Sequence, residues 1–376
     1  MTNIIEEPVA TKQKRTSKKL EVLESMRGLA ALYVFLGHFL LERVLKKESH
    51  LGFFLRFGQE AVMVFFILSG FVIYYSLQKH KDTSFRTYLS RRLNRIYPIF
   101  ILCLLLTYIT EALSQHHLVS LKMPQLIGNM CMLQDNSFLK PGVWVDPYYE
   151  NRALWSLSYE WWFYMMFYPV NRYVHPTSQR GLVACISLLG LVTYILLPNQ
   201  ISLFFLYFFI WWTGVEVAKT YIAGIRPNIK NQKFSLFVLS GLTCLLGCNM
   251  LFYWKILHKP IEFGVHPVLE LRHFLIAFVL VFVALSLTPK AWSLLKMVIK
   301  PFAVIAPISY AFYIMHMPLA VHGEYLSFLN QRFLELVLYV CVAILVSYVA
   351  EFPFQKWINS MWRKSHEPVS TSHLAS

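Results

Sequence analysis

Charged side chains are scarce in this chain, and acidic ones scarcest. Asp, Glu, Lys and Arg make up 15% of its 376 residues, with 20 acids against 35 bases. So little charge, beside 56% hydrophobic and 16% aromatic residues, excludes an ordinary soluble domain. The six cysteines have no metal-ligand spacing: Cys103, Cys185, Cys244, Cys248 and Cys341 fall in apolar runs, and Cys131 lies in a polar connection. That pattern argues against a metal site and against a disulfide framework. Alternating polarity is missing as well. The run from Phe278 to Leu285 is apolar at every position, whereas the strands of a membrane β-barrel alternate. There is no internal repeat and no low-complexity stretch. The N-terminus does not read as a secretory signal, because a polar stretch precedes the first apolar run and no small-residue cleavage site follows.

What remains is apolar runs long enough to cross a bilayer, which takes about 20 residues as a helix. Ten are expected, over residues 28–45, 59–77, 96–113, 153–170, 181–197, 201–218, 234–254, 272–288, 302–321 and 333–350, with a tight hairpin at Pro198. The expected fold is all-α, a polytopic transmembrane bundle. Lys and Arg set its orientation. With an even number of spans, 24 of the 35 fall on the side of both termini and 11 opposite, so N- and C-termini are expected in the cytoplasm. The chain then divides into a basic cytoplasmic tail (1–19), a membrane domain (20–362) and a second cytoplasmic tail (363–376), in a multi-pass protein of the cell inner membrane. The net charge of +15 is spread over these loops, which is a topology signal and no nucleic-acid footprint. The cluster from Lys12 to Lys19 suits anionic lipid.

Only the segment 114–152 has much length on the opposite side. It carries His116, His117, Pro124, Pro141 and Pro147, and an apolar piece from Leu126 to Leu133 expected to dip back toward the membrane. An extramembrane catalytic domain has no room, so any chemistry belongs within or at the edge of the bundle.

Ionisable groups in a bilayer cost about 2.5–3.5 kcal/mol each, so each one inside a span needs a reason. Arg27 opens the first span and His38 follows eleven residues later. At 100° per residue the two return to within about 20° of each other, about 16 Å apart along one helix face. An arginine at the cytoplasmic mouth below a histidine suits an anionic ligand entering from that side, and a histidine can accept a proton or act as a nucleophile. A histidine bonded between helices, with Arg27 snorkelling, accounts for the two equally well. Arg91 and Arg92, four and three residues before Arg95 in FRTYLSRRLNRIYP (85–98), share one face with it at the cytoplasmic edge of the third span. They fit a phosphate-bearing ligand or, as simply, anchor the helix. Glu160 enters the fourth span just after Trp155, Ser156, Ser158 and Tyr159, where topology asks for no carboxylate. It reads as a general base, a partner for a basic group, or a structural acceptor. In ISYAFYIMHMPLA (308–320), Tyr313 and His316 face one way beside Ser309 and Tyr310, and Pro318 is expected to loosen the outer end. Glu351 is expected to pair with a basic residue at the cytoplasmic edge. Trp161, Trp162, Trp211 and Trp212 read as packing and interfacial belt.

Six segments occur in a telling order: ESMRGLAALYVFLGHF (24–39), GQEAVMVFFILSGFVI (58–73), SRRLNRIYP (90–98), WSLSYEWWFYMMFYP (155–169), SYAFYIMHMPL (309–319) and SYVAEFPFQKW (347–357). The chain thereby resembles the acyltransferase family 3 membrane proteins, which O-acylate polysaccharides, lipopolysaccharide and peptidoglycan in bacteria. The spacing of Arg27 and His38 is similar to the family's central motif. The resemblance implies that His38 is catalytic with Arg27 and Glu160 in support. It implies that Arg91, Arg92 and Arg95 engage the phosphates of an acyl-CoA donor, expected to be acetyl-CoA, and that Trp155, Tyr310 and His316 meet the acceptor, with Glu160 and His316 toward the outside. No metal is expected. The implied partners are the bilayer, acyl-CoA, a polysaccharide or lipid-linked sugar, and in some relatives a separate periplasmic or extracellular transferase. Two departures bear on the acceptor side. Ala61, Val62 and Met63 stand where many relatives read Gly-Val-Asp or Gly-Val-Glu, and Trp161 replaces a carboxylate. A succinyl or other acyl donor and a glycan transporter are the alternatives. A purely structural or sensory protein does not explain the polar set.

Overall fold

The computed structural model describes residues 9–45, 50–80 and 82–364. The tails expected at 1–19 and 363–376 fall outside the described residues, save for a helical backbone over 9–19 and 363–364. Among the described residues there is no β-strand, only an isolated bridge between Gln134 and Val145. The helices are α1 (Val9–Phe39), α2 (His50–Leu55), α3 (Gly58–Leu77), α4 (Phe85–Gln115), α5 (Met123–Met130), α6 (Trp155–Tyr173) and α7 (Pro176–Leu196). They continue with α8 (Gln200–Ile222), α9 (Lys233–Lys255), α10 (Val268–Ser286), α11 (Pro289–Ile299), α12 (Ser309–His316), α13 (Arg332–Val349) and α14 (Gln355–Lys364).

Among the described residues seven helices are long and apolar enough to cross a membrane, and a bent pair, Pro289–Val304 with Ala306–Val321, makes an eighth if it counts as one span. The chain is therefore a multi-pass, all-helical membrane protein. The expected spans at 28–45 and 153–170 are also helical, but α1 and α6 do not reach that apolarity. The physical reason is their cargo. The first expected span carries His38, Glu42 and Arg43, and α6 carries Ser156, Ser158, Glu160 and a run of Tyr and Trp. The span expected at 302–321 is no single helix either. It bends by 54°, and its outer turn, Met317–Val321, widens into a π-helix at Pro318.

Side-chain size decides how closely the helices approach. α3 packs against α8, and a Cβ at Gly70 or Gly214 would collide with the carbonyl oxygens of Trp211 and Ile67 respectively. Without hydrophobic drive between helices in lipid, such small-residue contact is what lets two backbones meet. Around it lies an aromatic core in which Trp211, Trp212, Phe163 and Phe208 are fully buried, so both tryptophans are packing residues and not interfacial belt. The N-terminus of α4 is capped by Ser84, and Asp82 accepts from the Ser84 amide at 2.8 Å and the Thr87 hydroxyl at 2.5 Å. Those bonds, that from Thr87 first, hold the Asp82 carboxyl below its usual range. The cap fixes where the arginine-bearing first turns of α4 begin. The apolar piece from Leu126 to Leu133, expected to dip back toward the membrane, overlaps the short helix α5.

Candidate active site

At the end of the bundle formed by the 116–152 segment, a cavity of about 600 Å³ opens. His38, Val34, Val62, Trp155 and Tyr313 line it from the helices, and Gln125, Asp135, Asn136, Lys140 and Arg152 from the loop. That size and mixture suit a small polar ligand. The face of α1 that carries His38 continues inward through Val34, Phe35, Ala31 and Ala30, all nearly inaccessible, to Arg27. The two sequence-predicted residues thus share one helix face, as their spacing implies.

His38 Nδ1 lies 3.5 Å from Glu42 Oε1, and the other Glu42 oxygen lies 3.1 Å from His322 Nε2. The His38 ring lies 5.4 Å from that of His316. His316 is fully buried; its Nδ1 donates to the Tyr313 carbonyl at 2.6 Å, and its Nε2 has no hydrogen-bond partner. The Tyr313 hydroxyl in turn meets Ser156 Oγ at 2.9 Å. His316 therefore backs His38 from the protein interior and is not itself a lining residue.

The arginines gather at the other end. Arg95 is held by Glu351 at 2.5 and 3.2 Å, with Tyr310 beneath its guanidinium at 5.2 Å. Glu351 thus pairs with a basic residue as expected. Arg27 donates to the Ala306 carbonyl at 2.8 Å and lies within electrostatic reach of Arg95, Glu351 and Glu160. Arg92 lies 5.8 Å from the rings of Tyr88 and Tyr164. Both Arg27 Nε and Arg92 Nε are buried without a hydrogen-bond partner. Unpaired guanidinium donors of this kind are chemically matched to an anion such as a phosphate.

Two expected acceptor-side residues belong with this arginine set instead. Glu160 accepts from Ser69 Oγ at 2.7 Å and from the Tyr164 hydroxyl, and acts electrostatically on Arg27. Tyr310 donates to the Ile96 carbonyl at 3.0 Å beside Arg95. The cause is register: Glu160 lies one and a half turns down α6 from Trp155, far enough to leave the cavity that Trp155 lines.

The sequence pattern described as an acyltransferase domain, that of acyltransferase family 3, matches residues 20–352. The chain belongs to acyltransferase family 3. A stretch of 177 residues is also 30% identical to the acyltransferase MdmB of Streptomyces mycarofaciens, and it covers 44% of this chain and 43% of that protein. No solved structure matches.

In this member of acyltransferase family 3, the two departures from the usual motif have structural counterparts. Met63 is wholly buried, and one turn earlier the buried carboxylate of Glu60 forms an ion pair with Arg272. Trp161 packs edge-on against Tyr97 at 5.0 Å. Sequence reasoning also missed an ion pair at the cavity floor. Lys140 Nζ lies 2.9 Å from both oxygens of Asp135, which further accepts from the Tyr159 hydroxyl at 2.6 Å. The Lys140 ammonium lies over the Trp155 ring at 4.1 Å. Both partners are at most 2% exposed. Lys140 reads in the sequence only as an outer-side topology charge, and no spacing rule links it to Asp135. Glu42 and His322 were missed too, although Glu42 stands one helical turn from His38 in the sequence.

Proposed function

We propose that this chain is an integral membrane O-acyltransferase that moves an acetyl group from cytoplasmic acetyl-CoA to a sugar hydroxyl of an exported or cell-surface glycan. The carrying observation is the His38 imidazole, which opens onto the 600 Å³ cavity at one end of a helix face whose other end holds Arg27. In this reading the bundle has ten spans, with α1 and α6 added to the eight apolar ones, both termini cytoplasmic, and the cell inner membrane as its site.

Acyl-CoA enters as a substrate and supplies an activated acyl thioester. Arg27 and Arg92, each with an unpaired guanidinium N–H, bind its anionic groups together with Arg91, while Arg95 acts mainly through Glu351 in shaping that end. His38 takes the proton of the acceptor hydroxyl as the new ester C–O bond forms and the thioester C–S bond breaks, and that proton finally resides on the released thiol. Trp155 and Tyr313 flank the acceptor in the cavity. Glu160, bonded to Ser69 and Tyr164, braces α6 against α3 near Arg27 and so supports the donor side.

The test is acetylation of surface glycans, read by mass spectrometry, in cells whose own copy is replaced by His38→Ala. Loss of the acetyl groups is expected; full acetylation at normal protein amounts would remove His38 from the chemistry.

A further inference from the structure

Glu42 is a carboxylate within the first expected span and has no topological reason to be there. It stands one turn beyond His38, where α1 widens into the π-helical turn Leu40–Val44. Its two oxygens face two imidazoles, His38 at 3.5 Å and His322 at 3.1 Å. A second π-helical turn, Met317–Val321, delivers His322 from the opposite side. Widened turns of this kind recur at functional sites because they re-aim side chains that a regular helix would point elsewhere.

We infer that Glu42 is the positioning residue of His38 and that His322 clamps Glu42 for that task. A carboxylate accepting from Nδ1–H fixes the tautomer in which Nε2 carries the free lone pair, and it stabilises the imidazolium that forms when Nε2 takes a proton. The separation of 3.5 Å is long for the resting bond, and such contacts tighten when substrate is bound. His322 holds the far oxygen at normal hydrogen-bond length, so the carboxylate has one defined orientation.

The alternative is a tether between α1 and the segment 317–323. Arg43 already supplies that tether. Its guanidinium donates to the carbonyls of Val321, at 2.7 Å, and Gly323, pairs with Glu335 at 3.6 Å and lies 4.5 Å from the Tyr339 ring. The neighbouring His316 is committed to the Tyr313 carbonyl and offers His38 no carboxylate. Glu42 is therefore left for the imidazole.

The inference rests on the proposed base role of His38. The experiment uses the full-length protein in nanodiscs, with radiolabelled acetyl-CoA and the extracted surface glycan of the host as acceptor. Glu42→Gln is expected to lower kcat about 100-fold, the scale of a misoriented general base, and to leave KM for acetyl-CoA within about twofold. His322→Gln, which keeps a donor toward Glu42, retains activity, whereas His322→Ala loses about tenfold. Thermal unfolding of each variant accompanies the rates, and His322→Ala serves as the second probe if Glu42→Gln fails to fold. Wild-type kcat in Glu42→Gln, or an equal loss in His322→Gln and His322→Ala, overturns the inference. If His38→Ala still transfers acetyl groups, the base role of His38 falls and the role of Glu42 with it; if the wild type transfers none, the proposed function falls; if His38→Ala is inactive and Glu42→Gln is not impaired, only the role of Glu42 falls.

Discussion

Arg95 and Glu351 stand 256 positions apart in the sequence and meet in a two-point ion pair at 2.5 and 3.2 Å. Glu351 is almost wholly enclosed, whereas the Arg95 side chain is 42% exposed. The same carboxylate accepts from the Ala311 amide at 3.2 Å, so the pair joins α4, α12 and the turn after α13 in one place. Removing Glu351 leaves a partly solvated guanidinium, and removing Arg95 leaves a buried carboxylate. Arg95→Ala is therefore expected to cost more stability than Glu351→Gln, about 3 against about 1 kcal/mol, and the double variant less than the sum. Thermal unfolding of the four proteins in one detergent checks the order.

Because Arg95 is engaged, the proposed donor site leans on the other arginines. Arg92→Ala and Arg27→Ala are expected to raise KM for acetyl-CoA about tenfold, the loss of one charge-assisted bond. Arg95→Ala should move KM less once corrected for the folded fraction. Steady-state rates against acetyl-CoA concentration separate the three; an unchanged KM in Arg92→Ala would take the donor away from this end.

The sequence carries some of this plainly and the rest not at all. The shared face of Arg27 and His38 is legible because helical geometry alone relates residues eleven apart, and the partner of Glu351 is legible as a kind if not as Arg95. Span edges are legible where a run carries no charge between its ends, as in α9, Lys233–Lys255 against the expected 234–254, and blurred where a helix is loaded with polar groups, as in α1 and α6. Contacts such as His38 with His316, or Glu160 with Ser69, depend on which helices become neighbours, and no periodicity within one segment encodes that. The family resemblance implies that Tyr310 meets the acceptor and that Glu160 lies toward the outside, and motif order along the chain does not fix depth. Depth depends on register within each helix, and both side chains reach the arginine end.

The pair of Asp135 and Lys140 is the clearest case of a contact hidden from periodicity. Both side chains are at most 1% exposed, and they close the floor of the cavity beneath Trp155. Lys140→Met strands a buried carboxylate with Tyr159 and the Asn136 amide as its remaining donors. It is expected to cost about 3–5 kcal/mol, whereas Lys140→Met with Asp135→Leu loses less than the single change. Unfolding midpoints of the wild type, the single and the double variant measure this. Additive losses would mean that the two residues are not coupled.

Orientation is the last link between the arginines and a cytoplasmic donor. The chain offers a natural reporter in Cys131, an exposed cysteine of the segment between α4 and α6. With the other five cysteines changed to Ala, a membrane-impermeant maleimide added to intact cells, with the outer envelope permeabilised where there is one, is expected to label Cys131. When Cys131 is also removed and Lys79→Cys introduced just past α3, labelling should require breaking the inner membrane. In the proposed ten-span arrangement 24 of 35 basic residues lie on the Lys79 side, and positive residues are retained in the cytoplasm during insertion. The reverse pattern would turn Arg27 and Arg92 to the outside. A cytoplasmic acyl-CoA could not reach them there, and the path from donor to His38 would have to be abandoned with the orientation.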